Sequence, residues 1–306
     1  MVARRLSLGP LAVSMHVGAN GVGVGLDVTG RGIGRLHGWA VGRLRQRRDR
    51  APAAALAPRA AESREAEALK ARIAGVDWYH SIELGHGVVT PGQFDHRPHL
   101  ARYGLPARLD GQRVLDVGSF DGFWTFEFER RGAAEVMALD VATAGDLDFP
   151  PPVRAGMSAE VLAGRMGEGF GLAKEILGSR AERRIGTVYG LSPDDFGLFD
   201  TSHIGNVLVH LRDPALALQN LCRVTRGACI VSETIDTSLE GDARGPLMAY
   251  RGGRQDCNWW RFNSAALLQM TLDAGFRTAE VVARFTLPHR GSARDMHQVV
   301  IIGRNG

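Results

Sequence analysis

Two lysines, Lys70 and Lys174, are all that this 306-residue chain contains. None of its four tyrosines, Tyr79, Tyr103, Tyr189 and Tyr250, has a lysine four positions on, so the tyrosine–lysine pair of short-chain reductases is excluded. Cysteine is nearly as scarce. Cys222, Cys229 and Cys257 are odd in number and have neither a CxxC spacing nor a partnered His/Cys pattern, which argues against a disulfide framework and a zinc site and for a reducing cytoplasm. Long apolar runs are missing as well: glycine, arginine or aspartate interrupts each one before the roughly 18 residues that a membrane-spanning helix needs. No span is expected.

The charge is unevenly placed. Of a net +4, residues 1–50 carry +7, from nine arginines and two aspartates, leaving −3 for residues 51–306. A surface that neutralises a run of phosphates needs clustered basic groups of its own, and the main body has no such excess, which makes a nucleic-acid partner such as tRNA a secondary expectation. The arginines of LRQRRDR read as a solvated run. Residues 1–58 are rich in glycine, then in arginine and alanine. They are expected to form a disordered low-complexity tail. Arg4 and Arg5 precede a mildly apolar run, but His16 and Asn20 interrupt it and no small-residue cleavage site follows, so an export signal is disfavoured.

From Arg59 the pattern is strongly helix-forming, with acids early and bases late, and Gly75 marks its stop. A segment punctuated by glycine and proline follows, and a boundary falls near Asp110. Residues 59–110 are therefore expected to form a helix and a flap, and residues 111–306 one catalytic domain. In the latter, strand-like runs (RVLDV, EVMALDV, RIGTVYG, FDTSHIGNVLV, ACIVSET, AEVVARF, QVVIIG) alternate with helices predicted over Gly122–Arg131, Arg165–Gly178, Pro214–Val224 and Ser264–Ala274. Ser264 is expected to cap the last of these. The order predicts an α/β fold with a seven-stranded, mostly parallel sheet, helices on both faces, and the last two strands paired as a hairpin.

The run RVLDVGSFDGFWTFEFERRGAAEVMALDV reads strand, glycine turn, helix, strand. Gly118 and Gly122 let the backbone turn sharply and bring a ligand close to the main chain at a helix N-terminus. Asp140, 24 residues after Asp116, is placed to accept hydrogen bonds from both ribose hydroxyls of an adenosine. Ser119, Phe120 and Asp121 stand between the glycines, so the GxGxxG spacing that admits a pyrophosphate is absent. An acid at the position of Asp116 repels phosphates but suits the ammonium and sulfonium of S-adenosylmethionine.

This spacing resembles the first motif of class I methyltransferases, DxGxxxG with a downstream acid. Together with VDWYHSIELGHGVVTPGQFDHR, IGNVLVHLRDPALALQNLCRVT and NWWRFNSAALLQMTLDAGF, it is similar to methyltransferases related to the tRNA wobble-uridine carboxymethyltransferase, over Asp77–Gly303. The resemblance implies a Rossmann-like fold and S-adenosylmethionine as cofactor. It implies that Asp116, Gly118, Ser119, Phe120 and Gly122 hold the methionine end, Asp140 and Val141 the ribose and adenine, Leu191 the adenine ring, and Asn206 and Val207 the methionine chain. Gly190 stands where the family usually has an acid. Val209 replaces the tyrosine, and the WYHS stretch with His80 replaces the lysine, with which that enzyme holds carboxy-S-adenosylmethionine. Plain methyl transfer is therefore expected.

Such transfer is an in-line displacement, in which alignment matters most and a base is useful for an oxygen or ring-nitrogen acceptor. His210, beyond the fourth strand, and His80, in the flap, are the candidate catalytic bases. Trp259 and Trp260 are candidate substrate contacts; adjacent side chains on extended backbone point opposite ways, so one is expected to face the site and one to pack inward. Trp78 and Tyr79 read as anchors of the flap, with Tyr79 also a candidate substrate contact. Asp95, His96 and His99 lack the spacing of a metal site. The expected activity is methyl transfer to a small organic acceptor, as in natural-product tailoring within secondary metabolism. The alternatives are modification of a tRNA uridine and a non-catalytic nucleotide-binding regulator.

Overall fold

This computed structural model describes residues 6–8, 11–18, 21–27, 56–241, 245–252, 257–291 and 295–306, with side chains from residue 64 onward. Three strands, β1 (Leu6–Leu8), β2 (Leu11–Gly18) and β3 (Gly21–Asp27), pair antiparallel in a sheet of their own. They fall within the tail expected to be disordered. The reason is legible afterwards: GVGVGLD alternates glycine with Val22, Val24 and Leu26, a two-residue period that suits a strand. Most of the rest of that tail, Arg4 and Arg5 included, lies outside the described residues.

Helix α1 (Leu56–Ile73) leads into the main unit, which continues as β4 (Arg113–Val117), α2 (Phe123–Arg130), β5 (Glu135–Asp140), α3 (Pro151–Ala155), α4 (Ala159–Leu162), α5 (Glu168–Leu177), β6 (Glu182–Ile185), α6 (Pro193–Phe196), β7 (Phe199–Gly205), α7 (Pro214–Val224), β8 (Thr225–Thr234), β9 (Met248–Tyr250), β10 (Trp260–Phe262), α8 (Ser264–Asp273), β11 (Thr278–Leu287) and β12 (Met296–Arg304). The seven-stranded sheet has the order β11-β12-β8-β7-β4-β5-β6, and only β12 runs against its neighbours. This is the expected Rossmann-like α/β architecture, with the closing hairpin at one edge. The short β9 and β10 pair antiparallel beside it.

Successive side chains of the central strands enter two different core clusters. Val114, Val136, Ala138, Val300 and Ile302 pack on one face with α2, α5 and the segment after α1. Leu115, Val117, Met137, Leu139, Val299 and Ile301 pack on the other with α7 and α8. Each strand thus buries both faces, as a sheet covered by helices on both sides requires.

Two expected boundaries shift. The third strand is ERRI rather than RIGTVYG, and Val188–Gly190 forms a 3-10 turn. The fourth strand stops at Gly205, where Asn206 takes a φ of +53° and turns the chain into a second 3-10 turn, Leu208–His210. Helix α8 is capped by Asn263, not Ser264: its Oδ1 accepts the Ala266 N–H at 2.8 Å.

The order of strands reverses between β4 and β7, since the chain runs outward from β4 through β5 and β6 and then returns to β7. Open α/β sheets bind ligands at the carboxyl ends of the strands beside such a reversal. Residues 77–95 fold over that edge. Thr90 Oγ1 accepts the Ile82 N–H at 2.7 Å and donates to the His80 carbonyl at 2.6 Å. Gly92 lies so close to the same peptide that a Cβ there would sit on the His80 carbonyl group and 2.5 Å from the Ser81 nitrogen. Backbone on both sides leaves nothing to give. Gly92→Ala is expected to destabilise the fold by about 3 kcal/mol, the upper end of ordinary overpacking, measured by urea unfolding; an unchanged midpoint would show that this loop can move away.

Candidate cofactor and active site

A cavity of about 890 Å³ opens at the reversal point. That lies in the upper part of the range for ligand pockets and leaves room for two small molecules. Its floor is the turn after β4, the end of β5 and the turn after β7; its walls come from residues 79–94, the loop after β8, β10 and the tip of the β11–β12 hairpin.

Asp140 ends β5 and lines this cavity. Its Oδ2 accepts the Phe120 N–H at 2.7 Å and its Oδ1 the Val141 N–H at 2.8 Å. Burial pushes its carboxyl upward, opposed by those two amides and by the charge of Arg183. The two amides fix the carboxylate plane, and each oxygen keeps a lone pair for the cavity. Phe120 sits at a φ of +49°. A residue with a bulky side chain held left-handed is a genuine outlier, and here it brings the Phe120 amide to Asp140. Phe120 and Asn206, two of the three non-glycine residues at positive φ among the described residues, both line the cavity. Gly118, also lining it, has a φ of +71°, and a Cβ there would strike the Cγ2 of Val207.

Of the expected cofactor residues, Gly118, Phe120, Asp140, Val141, Asn206 and Val207 line the cavity. Asp116, Ser119, Gly122 and Leu191 do not border it. The Asp116 carboxylate accepts the Thr125 hydroxyl at 2.6 Å and faces His203 Nδ1 at 3.0 Å. His203 is its partner across the β4–β7 ladder, so the side chain is spent inside the protein. The buried Ser119 hydroxyl has no partner among the described residues. Gly122 opens α2 at a φ of +91°, where a Cβ would press on Phe126 and Phe170; its role is packing. Leu191 is buried against the core on the α7 side. Because β6 ends early, Gly186, Thr187, Val188 and Tyr189 stand at the cavity edge in its place.

Tyr79, His80, His210 and Trp260 line the cavity. Burial first, then the nearby charge of Glu233, pushes the Tyr79 hydroxyl well above its usual range, so it stays protonated. Trp259 is buried and its backbone N–H donates to the Val209 carbonyl at 2.7 Å. The Trp260 indole donates to the Arg212 carbonyl at 3.2 Å. Asp95, His96 and His99 diverge: Asp95 pairs with Arg97, His96 Nδ1 meets the Tyr103 hydroxyl at 2.6 Å, and His99 stacks on Phe285.

Two buried carboxylates escaped the sequence reading. Asp121 Oδ2 accepts the backbone N–H groups of Tyr79 and His80 at 2.9 and 2.8 Å, and Oδ1 bonds to His80 Nδ1. Its signal was an acid between the two glycines, ahead of α2. Glu233 is buried at the end of β8, accepting the N–H groups of Leu208 and Thr234, both at 2.8 Å. Nothing in ACIVSET marks it beyond its presence in an apolar strand.

Burial pushes the Glu233 carboxyl up to about 8, against the pull of the Thr234, Leu208, Val209 and Val207 amides. A carboxyl raised above its unfolded value retains a proton that the unfolded chain has released, so stability is fully present below the unfolded value and is lost as pH rises toward 8. His96, held well below its usual range by burial, acts in the opposite sense but only below about pH 6.5. Between about pH 6.5 and 8.5 the Glu233 contribution is expected to fall by about 2 kcal/mol. Chemical unfolding across that window should show this slope in the wild type and lose it in Glu233→Gln; equal slopes would refute the assignment.

No family model matches the chain. A stretch of 45 residues is 58% identical to the biotin biosynthesis bifunctional protein BioHC of Cellvibrio japonicus, spanning 15% of this chain and 9% of that protein. Among solved structures, the N-terminal domain of EvdMO1 with SAH and D-fucose is similar at a TM-score of 0.48 and 20% identity, over 81% of this chain and 97% of that one. The 1,6-didemethyltoxoflavin-N1-methyltransferase of Burkholderia thailandensis, with bound 1,6-didemethyltoxoflavin and S-adenosylhomocysteine, is similar at 0.43 and 16%, over 84% and 92%. Magnesium protoporphyrin IX methyltransferase of Synechocystis PCC 6803 with SAH is similar at 0.42 and 17%, over 64% and 75%. Likeness at this level transfers no substrate, and none of these three structures supports the tRNA wobble-uridine branch in particular.

Proposed function

We propose that the chain is a methyltransferase that uses S-adenosylmethionine and acts on a small organic acceptor. The observation that carries this reading is Asp140: a buried carboxylate at the end of β5, held by two backbone amides, bordering a cavity at the reversal point with no pyrophosphate loop beside it. The donor set fits the nucleoside. Asp140 would hold the ribose hydroxyls, Val141 and Val188 the adenine faces, and Gly118, Phe120, Asn206 and Val207 the methionine chain. Bound there, S-adenosylmethionine supplies an electrophilic methyl group. The protein's part is to align the acceptor and exclude water, for which Tyr79, Phe94, Trp124 and Trp260 offer an aromatic enclosure and His80, His210 and Asn258 polar groups.

A small acceptor suits a cavity of about 890 Å³ on a body of net charge −3; tailoring of a secondary metabolite is the setting we favour. Titration calorimetry of the full chain with S-adenosylhomocysteine and with NAD tests the cofactor. Binding of the first alone is expected; binding of NAD alone would overturn the reading.

A further inference from the structure

We infer that His80 is the general base for the acceptor and that Asp121 is its positioning residue. This inference rests on the cofactor reading above and narrows the acceptor to a group bearing a weakly acidic O–H or ring N–H.

The geometry starts at the glycine turn. Asp121, buried between Phe120 and Gly122, receives three donors from one segment: the backbone N–H groups of Tyr79 and His80 on Oδ2 and the His80 imidazole on Oδ1. A carboxylate accepting from Nδ1 fixes the proton on that nitrogen and leaves the lone pair on Nε2. The ring cannot swing. It stacks on Phe123 with centroids 5.5 Å apart and meets Tyr79 edge-on at 4.7 Å. The Thr90 hydroxyl holds its carbonyl and Gly92 packs beneath the same peptide. His80 lines the cavity, and its Nε2 makes no hydrogen bond to any described residue.

An imidazole locked in one tautomer by a buried carboxylate, on a residue that lines a ligand cavity, is suited to accept a proton during nucleophilic attack. The same aspartate lies in the loop that borders the cofactor, so one side chain sets the position of both the loop and the base. In the step, the acceptor proton passes to Nε2 while the acceptor lone pair forms the bond to the methyl carbon. The electron pair of the broken carbon–sulfur bond stays on sulfur, and the imidazolium later releases its proton to water. A carboxylate or thiolate acceptor has no proton to give and needs no such group. His210 Nδ1 faces a backbone carbonyl, that of Cys257, at 3.4 Å.

Diethyl pyrocarbonate acylates an accessible imidazole nitrogen that carries a lone pair, and peptide mass mapping reads each histidine separately. His80 is only 5% exposed, so in the full-length chain it is expected to react measurably but more slowly than exposed His86. Asp121→Asn turns an NH2 toward Nδ1 and forces the proton onto Nε2, so the His80 rate is expected to fall by roughly tenfold or more, with the rate at exposed His86 unchanged. Long-range proton–nitrogen correlation on histidine-labelled protein reads the same exchange of tautomer. Calorimetry with S-adenosylhomocysteine runs in parallel on both proteins. An unreactive His80 in a wild type that binds S-adenosylhomocysteine, or equal His80 rates in the wild type and Asp121→Asn, overturns the base assignment. A wild type that does not bind S-adenosylhomocysteine overturns instead the cofactor reading on which it rests.

Discussion

Asp140→Ala is expected to weaken S-adenosylhomocysteine binding by about 100-fold, close to 3 kcal/mol. Two contributions add. The ribose loses two hydrogen bonds to a charged acceptor, each worth about 1.5 kcal/mol or more. The Phe120 N–H, donated to Asp140 at 2.7 Å, loses the partner that offsets its strained left-handed backbone, so the loop is no longer held in place. Asp140→Asn should fall between the two proteins, because its NH2 must face one of the two amides that now donate to oxygen. Calorimetry on the folded variants decides: affinity within twofold of the wild type for Asp140→Ala would remove Asp140 from the ribose site. Acidification works in the same direction, since a carboxyl pushed upward by burial is protonated earlier than an exposed one.

The second large effect concerns stability. Asp121→Ala deprives two backbone N–H groups and a buried imidazole of their acceptor at once, and three buried donors left unsatisfied at about 1–3 kcal/mol each cost about 3–5 kcal/mol after partial relaxation. For a domain of this size that corresponds to a Tm lower by about 10 °C. Differential scanning calorimetry reads it directly, and a change below about 2 °C would mean that the segment around His80 is held by Thr90 and Gly92 instead. Asp121→Asn keeps one acceptor for the two amides and should lose far less. That difference separates the aspartate's part in folding from its part in fixing the imidazole.

The sheet was legible in the sequence because its strands alternate with amphipathic helices, and because glycine punctuates the turn from β4 to α2. Six cavity-lining residues were legible for the same reason: the turn after β4 and the ends of β5 and β7 are fixed by topology. Leu191 stands away from the cavity because of a strand boundary, since the apolar run RIGTVYG reads as one strand but bends after Ile185. The partner of Asp116 was hidden for another reason. An acid at the end of a buried strand has two possible partners, a ligand or a neighbouring strand, and only the register opposite His203 distinguishes them. Asp121 and Glu233 depend on segments 41 and 25 residues away for their partners, a relation that no local pattern carries.

One joint on the rim ties together distant parts of the chain. Phe94 bridges to His289, the Arg290 N–H donates to the Gln93 carbonyl at 2.8 Å, and the Arg290 guanidinium reaches Asp95 at 3.3 Å. An early loop and the final hairpin therefore clasp each other above the cavity, 195 residues apart in sequence. The framework below can stay constant while this clasp is re-cut, so a change of acceptor calls for paired exchange of both pieces, and grafting either one alone would leave the roof unjoined.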